Sequence, residues 1–226
     1  MPAVETAPWL LGLTALLAYG LGSLPFGLVM ARLFGLGDLR RIGSGNIGAT
    51  NVLRTGNKTA AFLTLVLDAG KGGLAVLIAR AAMAEDAAQL AGVFAVLGHC
   101  FPAALGFRGG KGVATFLGTL LALFWPAGLA ACATWLAVAG IFRISSLSAL
   151  VAAASAPLWL AVLGMPSAVV FGLALAVLVF LRHAANIRRL IEGQEPRIGA
   201  AKSASGAAAG AASGTADTSG PGPRAG

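Results

Sequence analysis

Charge is scarce in this chain of 226 residues: Asp, Glu, Lys and Arg make up 11% of it, and only 8 residues are acidic. Soluble domains carry about 25% charged residues, so a water-soluble globule is excluded. Cysteine is nearly absent. Cys100 and Cys132 stand in apolar surroundings without metal-ligand spacing, so they read as small buried hydrophobes and no metal site is expected. Aromatics total 7%, and the surplus of cations behind the net charge of +8 is not gathered into a globular patch, so nucleic acid is not a partner. The apolar runs lack the alternation of barrel strands. The first of them has no basic segment before it and no small-residue cleavage site after it, so it is a retained span rather than a signal peptide. No internal repeat is visible.

What fills the chain instead is hydrophobic: 58% of all residues, with mean hydropathy +0.85. The apolar runs suit several spans of roughly 17–25 residues each. In lipid the backbone must pair internally, so these spans are helices. The expected fold is all-α, a polytopic membrane protein. Spans fall at about Pro8–Phe34, Thr59–Ala82, Ala87–Gly106, Ser146–Leu163 and Pro166–Leu181. The apolar stretch Val113–Phe142, broken at Trp125-Pro126, allows one long helix or two short ones. Charge parity decides: two spans put Arg143 and the basic residues Arg182, Arg188, Arg189, Arg197 and Lys202 on the same side as the other basic loops. Seven helices follow, with the N-terminus out and the C-terminus in. Residues 1–7 form a short periplasmic N-terminus, residues 8–199 the membrane domain, and residues 200–226 an Ala/Gly/Ser-rich cytoplasmic tail expected to be disordered.

The polar residues gather in a few short motifs on the inner face. The most telling lies in the first polar gap: Gly43, Ser44, Gly45, Asn46, Gly48, Thr50, Asn51 and Arg54 within one loop. Its glycines turn tightly and bring N–H groups close to a ligand, its small side chains add neutral donors, and Arg54 adds a planar cation. Such a set suits phosphate, against the plainer reading of a solvated loop with a helix cap. Gly43, Gly45 and Gly48 also match Gly-x-Gly-x-x-Gly, but that fingerprint needs a strand before it, and here a helix-length apolar run precedes it.

A second motif runs from His99 to Thr115 and contains Arg108, Gly109, Gly110, Lys111 and Gly112. A Gly-Gly-Lys-Gly turn opening a helix offers N–H groups and a cation to an anion. It also reads as a positive-inside anchor, and it is not a Walker A loop, since Gly112 stands where Ser or Thr is required. Asp68 and Lys71, three apart in the second span, lie on one helix face; an ion pair that orders the helices around the site is preferred to direct substrate contact. Ser145 and Ser146 cap a helix or touch a ligand. His183 and Asn186, at i and i+3, face one way from the inner end of the last span, with Arg189 and Glu195 following.

Four anion-seeking clusters at one face suggest a shared pocket where a phosphorylated substrate meets a lipid. The motifs Ser44-Gly-Asn-Ile-Gly-Ala-Thr-Asn-Val-Leu-Arg54, Asp68-x-x-Lys71-Gly, Phe107-x-Gly-Gly-Lys-Gly-Val-Ala-Thr115 and His183-x-x-Asn186-Ile-x-Arg189-Leu-x-x-Gly193-x-Glu195 closely resemble the acyl-phosphate-dependent glycerol-3-phosphate acyltransferases of bacterial inner membranes, the PlsY family. The resemblance spans about residues 10–199, with Ala184 and Ala185 where the family is often polar. It implies transfer of a fatty acyl group from acyl phosphate to the 1-hydroxyl of glycerol 3-phosphate, giving lysophosphatidic acid and inorganic phosphate. It implies phosphate binding by the loop from Ser44 to Arg54, with Ser44 and Asn46 as close donors. Lys111 with its glycine turn would bind a substrate phosphate, Ser146 would add a contact, and His183 and Asn186 would line the reacting centre. No cofactor is expected. For the hydroxyl proton, His183, a substrate phosphate, or a covalent route through Ser44 or Cys100 are open; direct transfer without an acyl-enzyme is preferred. The rival class is a transporter for a phosphorylated metabolite, which predicts repeated halves and a midplane site. The sequence fits a monomer but does not fix the oligomeric state.

Overall fold

The computed structural model describes residues 2–199; Met1 and residues 200–226, with the disorder expected of that tail, lie outside the described residues. All regular structure among them is helical: α1 (Pro8–Gly22), α2 (Phe26–Leu33), α3 (Ala49–Leu53), α4 (Lys58–Ala82), α5 (Glu85–Cys100), α6 (Val113–Leu123), α7 (Trp125–Phe142), α8 (Ser145–Val162), α9 (Val169–Arg182) and α10 (Ala184–Ile191). The chain is a multi-pass membrane protein. Among the described residues five stretches are long and apolar enough to cross a bilayer: Pro8–Leu33, Lys58–Ala82, Glu85–Leu105, Trp125–Phe142 and Ser145–Val162. A sixth, Pro166–Arg182 with Ala184–Ile191, is bent by 66°.

The run from Val113 to Phe142 does divide, with Phe124 in an extended conformation (φ −150°, ψ 93°) and the next helix opening at Trp125-Pro126. Its first piece, α6, has 11 residues, or about 16 Å of helix, short of the ~30 Å hydrocarbon core. A helix that ends at apolar depth leaves carbonyls without partners. Arg80 meets them: its guanidinium donates to Ala122 O (2.9 Å) and Leu123 O (2.7 Å) while pairing with Glu85. This arginine, in the last turn of α4, thus closes the end of a neighbouring helix.

The first span is interrupted as well. Pro25 has no N–H to give, and the helix stops at Gly22 and restarts at Phe26. The carbonyl of Leu24, exposed by this break, accepts a hydrogen bond from Lys71 Nζ at 2.6 Å. Lys71 also pairs with Asp68 at 2.8 Å, and His99 Nδ1 stands 3.5 Å from the same carboxylate. All three side chains are buried. The expected intramembrane ion pair is therefore formed, and it joins α4, α5 and the α1–α2 break.

Helix α4 packs against α1, α2, α3, α5 and α6. Lipid offers no hydrophobic drive for helix association, so contact relies on small residues that let backbones approach. At the α4–α6 crossing, a Cβ on Gly118 would fall inside the Ala69 backbone, and one on Gly72 would lie 2.7 Å from Thr115 O. Larger side chains on α6, α8 and α9 (Phe116, Leu120, Leu160, Leu175) fill the remaining core.

The N-terminal segment is held at one end of the bundle by Thr6, which donates to Asp86 through N–H (2.9 Å) and Oγ1 (2.7 Å). The opposite end collects residues 34–57, 101–112, 143–144 and 183–199. Every motif singled out in the sequence belongs there, apart from the intramembrane Asp68 and Lys71.

Candidate active site

The first loop is shaped from within. Gly43 (φ 54°) and Gly45 (φ 69°) adopt left-handed conformations that a side chain would strain. Asn51 is buried and ties the loop together: its Nδ2 donates to Leu39 O (2.9 Å), and its Oδ1 accepts from Ser44 N (3.1 Å), Ser44 Oγ (3.4 Å) and Arg54 Nη1 (3.4 Å). Asn51 therefore organises the loop, and Ser44 and Arg54 stand exposed at its surface. The half-buried Thr50 places its hydroxyl 3.4 Å from that of Ser145, which docks the loop onto the start of α8.

The next residue, Ser146, is buried and donates to Glu195 Oε1 at 2.7 Å; α8 has no side-chain cap. Glu195 is a hub. Asn186 Nδ2 donates to its Oε1 at 2.5 Å, and Arg189 Nε to its Oε2 at 2.7 Å. Burial works to raise the Glu195 pKa, but the bonds from Ser146, Asn186 and Arg189, with the Arg189 charge, hold it below the ordinary glutamate range. Asn186 Oδ1, in contrast, is buried without a partner among the described residues.

His183 sits at the bend between α9 and α10 and is 2% exposed. Its Nδ1 lies 2.8 Å from Val179 O. A carbonyl only accepts, so Nδ1 carries the proton in the neutral ring, and Nε2 is left with a lone pair.

The Gly-Gly-Lys-Gly turn is a strap across the end of α5. Gly109 N donates to Cys100 O (3.2 Å) and Gly110 N to His99 O (3.1 Å). Those two N–H groups are taken, so the glycines contribute close approach; a Cβ on Gly110 would overlap the His99 ring. On the other side Arg182 donates from Nε to Gly110 O and from Nη2 to Gly109 O, both at 3.0 Å. Nothing in the sequence singles out Arg182, because its partners lie 72 and 73 residues back. Gly112 (φ 80°) then turns the chain into α6.

The side chain of Lys111 makes no hydrogen bond or ion pair with any described residue. Burial pushes its pKa down to about 8; Glu195 draws it up in part, while Arg189, Arg54 and Arg182 add to the lowering. Lys111 thus feels three other cations, from three further parts of the chain, and one carboxylate that is already fully engaged. Arg108 is exposed on the turn and makes no side-chain hydrogen bond with a described residue. Among the described residues no group of His, Cys, Asp and Glu could hold a metal ion.

A net positive cluster, a lone-pair imidazole and small donors are groups that can bind phosphate. Comparison with known proteins identifies the family. The profile of the glycerol-3-phosphate acyltransferase family matches residues 12–193. The glycerol-3-phosphate acyltransferase of Jannaschia sp. (strain CCS1) is 73% identical over 199 residues, covering 88% of this chain and 98% of the relative. That of Ruegeria pomeroyi is 60% identical over 199 residues, with the same two coverages. The crystal structure of PlsY (YgiH), an integral membrane glycerol 3-phosphate acyltransferase, in its glycerol 3-phosphate form superposes with a TM-score of 0.79 at 40% identity, covering 84% of this chain and 96% of that one. Its lysophosphatidic acid form gives 0.76 at 37% identity, covering 83% and 94%. On these matches, the chain belongs to the glycerol-3-phosphate acyltransferase family of membrane-embedded PlsY enzymes.

Proposed function

We propose that the protein transfers a fatty acyl group directly from acyl phosphate to the 1-hydroxyl of glycerol 3-phosphate, without an acyl-enzyme, at the cytoplasmic face of a bacterial inner membrane. The observation that carries this reading is the unpaired Lys111 ammonium among Arg54, Arg182 and Arg189. Both substrates are phosphate anions, and bringing two together needs cations that are not neutralised by the protein. Lys111 and Arg54 supply the charge, and Ser44, Asn46 and the N–H group at Gly48 supply neutral donors, the Gly45 N–H being taken by Ile42 O at 2.9 Å.

In the reaction the hydroxyl oxygen attacks the acyl carbon, the bond from that carbon to the phosphate oxygen breaks, and inorganic phosphate leaves. The mixed anhydride is already activated, so positioning and charge stabilisation suffice. His183 Nε2 accepts from the attacking hydroxyl, and the buried, unpartnered Asn186 Oδ1 accepts from a second hydroxyl of glycerol. Such an acceptor costs about 1–3 kcal/mol while empty, which a bound hydroxyl recovers. The proton has two destinations, His183 and a substrate phosphate, whose second pKa of about 6 makes it a competent acceptor. Seven spans, with α6 as a short one, keep the N-terminus out and the site in.

Purified protein given palmitoyl phosphate or palmitoyl-CoA with glycerol 3-phosphate tests the donor. Lysophosphatidic acid is expected from the acyl phosphate alone; equal turnover of the thioester would overturn the assignment.

A further inference from the structure

We infer that Arg182 is a positioning residue for the transfer reaction: it fixes the Lys111 strap against the His183 end of α9, so that one guanidinium sets the distance between the phosphate-binding cation and the imidazole. The inference rests on the proposed role of Lys111 and adds to it a residue that acts through another. Arg182 does not spend its fork on a carboxylate or leave it open for a phosphate. It donates to two consecutive carbonyls, Gly109 O and Gly110 O, at 3.0 Å each. Its guanidinium carbon also lies 5.0 Å from the centroid of the Phe101 ring, which orients the planar group.

The strap is thus gripped on both edges. Its N–H groups are held by the last carbonyls of α5, at His99 and Cys100. Its carbonyls are held by Arg182, whose neighbour in the chain is His183. No other side chain among the described residues hydrogen-bonds Gly109 or Gly110. Removing the fork would free one edge of the strap, and the next residue along it is Lys111. A lysine at position 182 keeps the charge but offers one ammonium where a planar fork reached two carbonyls.

The test is a double-mutant cycle read as kcat/KM for glycerol 3-phosphate per folded enzyme, in a radiolabelled assay. Arg182→Lys is expected to lose roughly ten- to a hundredfold, the scale of a misplaced reacting group. In a Lys111→Met background the same change is expected to cost less than about threefold, because the group that Arg182 places is gone. Phe101→Leu removes only the stacking and serves the same cycle if Arg182→Lys folds poorly, with a smaller loss that again vanishes beside Lys111→Met. Losses that multiply in the double variants, or full activity of Arg182→Lys, would overturn the inference. Wild-type activity of Lys111→Met alone would instead sink the reading of Lys111, so the two failures are distinguishable.

Discussion

An ammonium that is half-buried, unpaired and surrounded by other cations releases its proton more readily than one in water, and Lys111 is in that position at about 8. The sign of the pH effect follows. Below that value Lys111 is charged and binds phosphate; as pH rises through it, the cation and its phosphate affinity are lost. The free enzyme's kcat/KM for glycerol 3-phosphate is therefore expected to fall on the alkaline side with a midpoint of about 8. Lys111→Arg should move that limb out of range in whatever activity it retains. An unchanged limb in the arginine variant would show that another group titrates. The sequence made Lys111 visible as a candidate, although a positive-inside anchor fitted the same glycine turn equally well. It hid the division of labour around it. Asn51 and Ser146 carry donors that suit a ligand, yet Asn51 spends them on its own loop and Ser146 on Glu195. Arg182 looked like one more cation of the inner face. Partners separated by seventy residues leave no local pattern, so such roles are set only by the fold.

The helices were readable from hydropathy because lipid tolerates little else. The break at Trp125-Pro126 was readable too, but the bonds that hold the interruptions were not. The first span breaks at Pro25, and α6 ends after three turns, because Lys71 and Arg80 reach from α4 to the carbonyls exposed there. These are tertiary bonds, and a sliding window over one segment cannot contain them. What the sequence did offer was their donors, Lys71 at a depth where a cation is costly and Arg80 in the last turn of the same helix. The same helix makes a close crossing with α6. Gly118→Leu would force α6 away from Ala69 and is expected to destabilise the purified protein by about 1–3 kcal/mol, the scale of overpacking. Gly140→Leu, on α7 with open space around the Cβ position, is the control and should leave thermal stability nearly unchanged. Equal shifts in the two variants would mean that close approach at the α4–α6 crossing is not what holds these helices together.

At the scale of the whole molecule, parity of charged loops was enough to bring sequence-distant motifs to one end, and the structure does unite them around Glu195 and Lys111. Orientation can be tested directly. With Cys132→Ala as background, a membrane-impermeant thiol reagent should label Glu5→Cys from outside the cell membrane and Glu192→Cys only after it is opened; the reverse pattern would invert the topology. The central claim, however, concerns chemistry: a site rich in unneutralised cations brings two phosphate anions together and lets the hydroxyl of one attack the acyl group of the other. The most direct measurement is phosphate release from palmitoyl phosphate by the purified protein, with and without glycerol 3-phosphate. Direct transfer predicts release only when the acceptor is present, in step with lysophosphatidic acid. A stoichiometric burst of phosphate without acceptor, leaving the acyl group on Ser44 or Cys100, would contradict it.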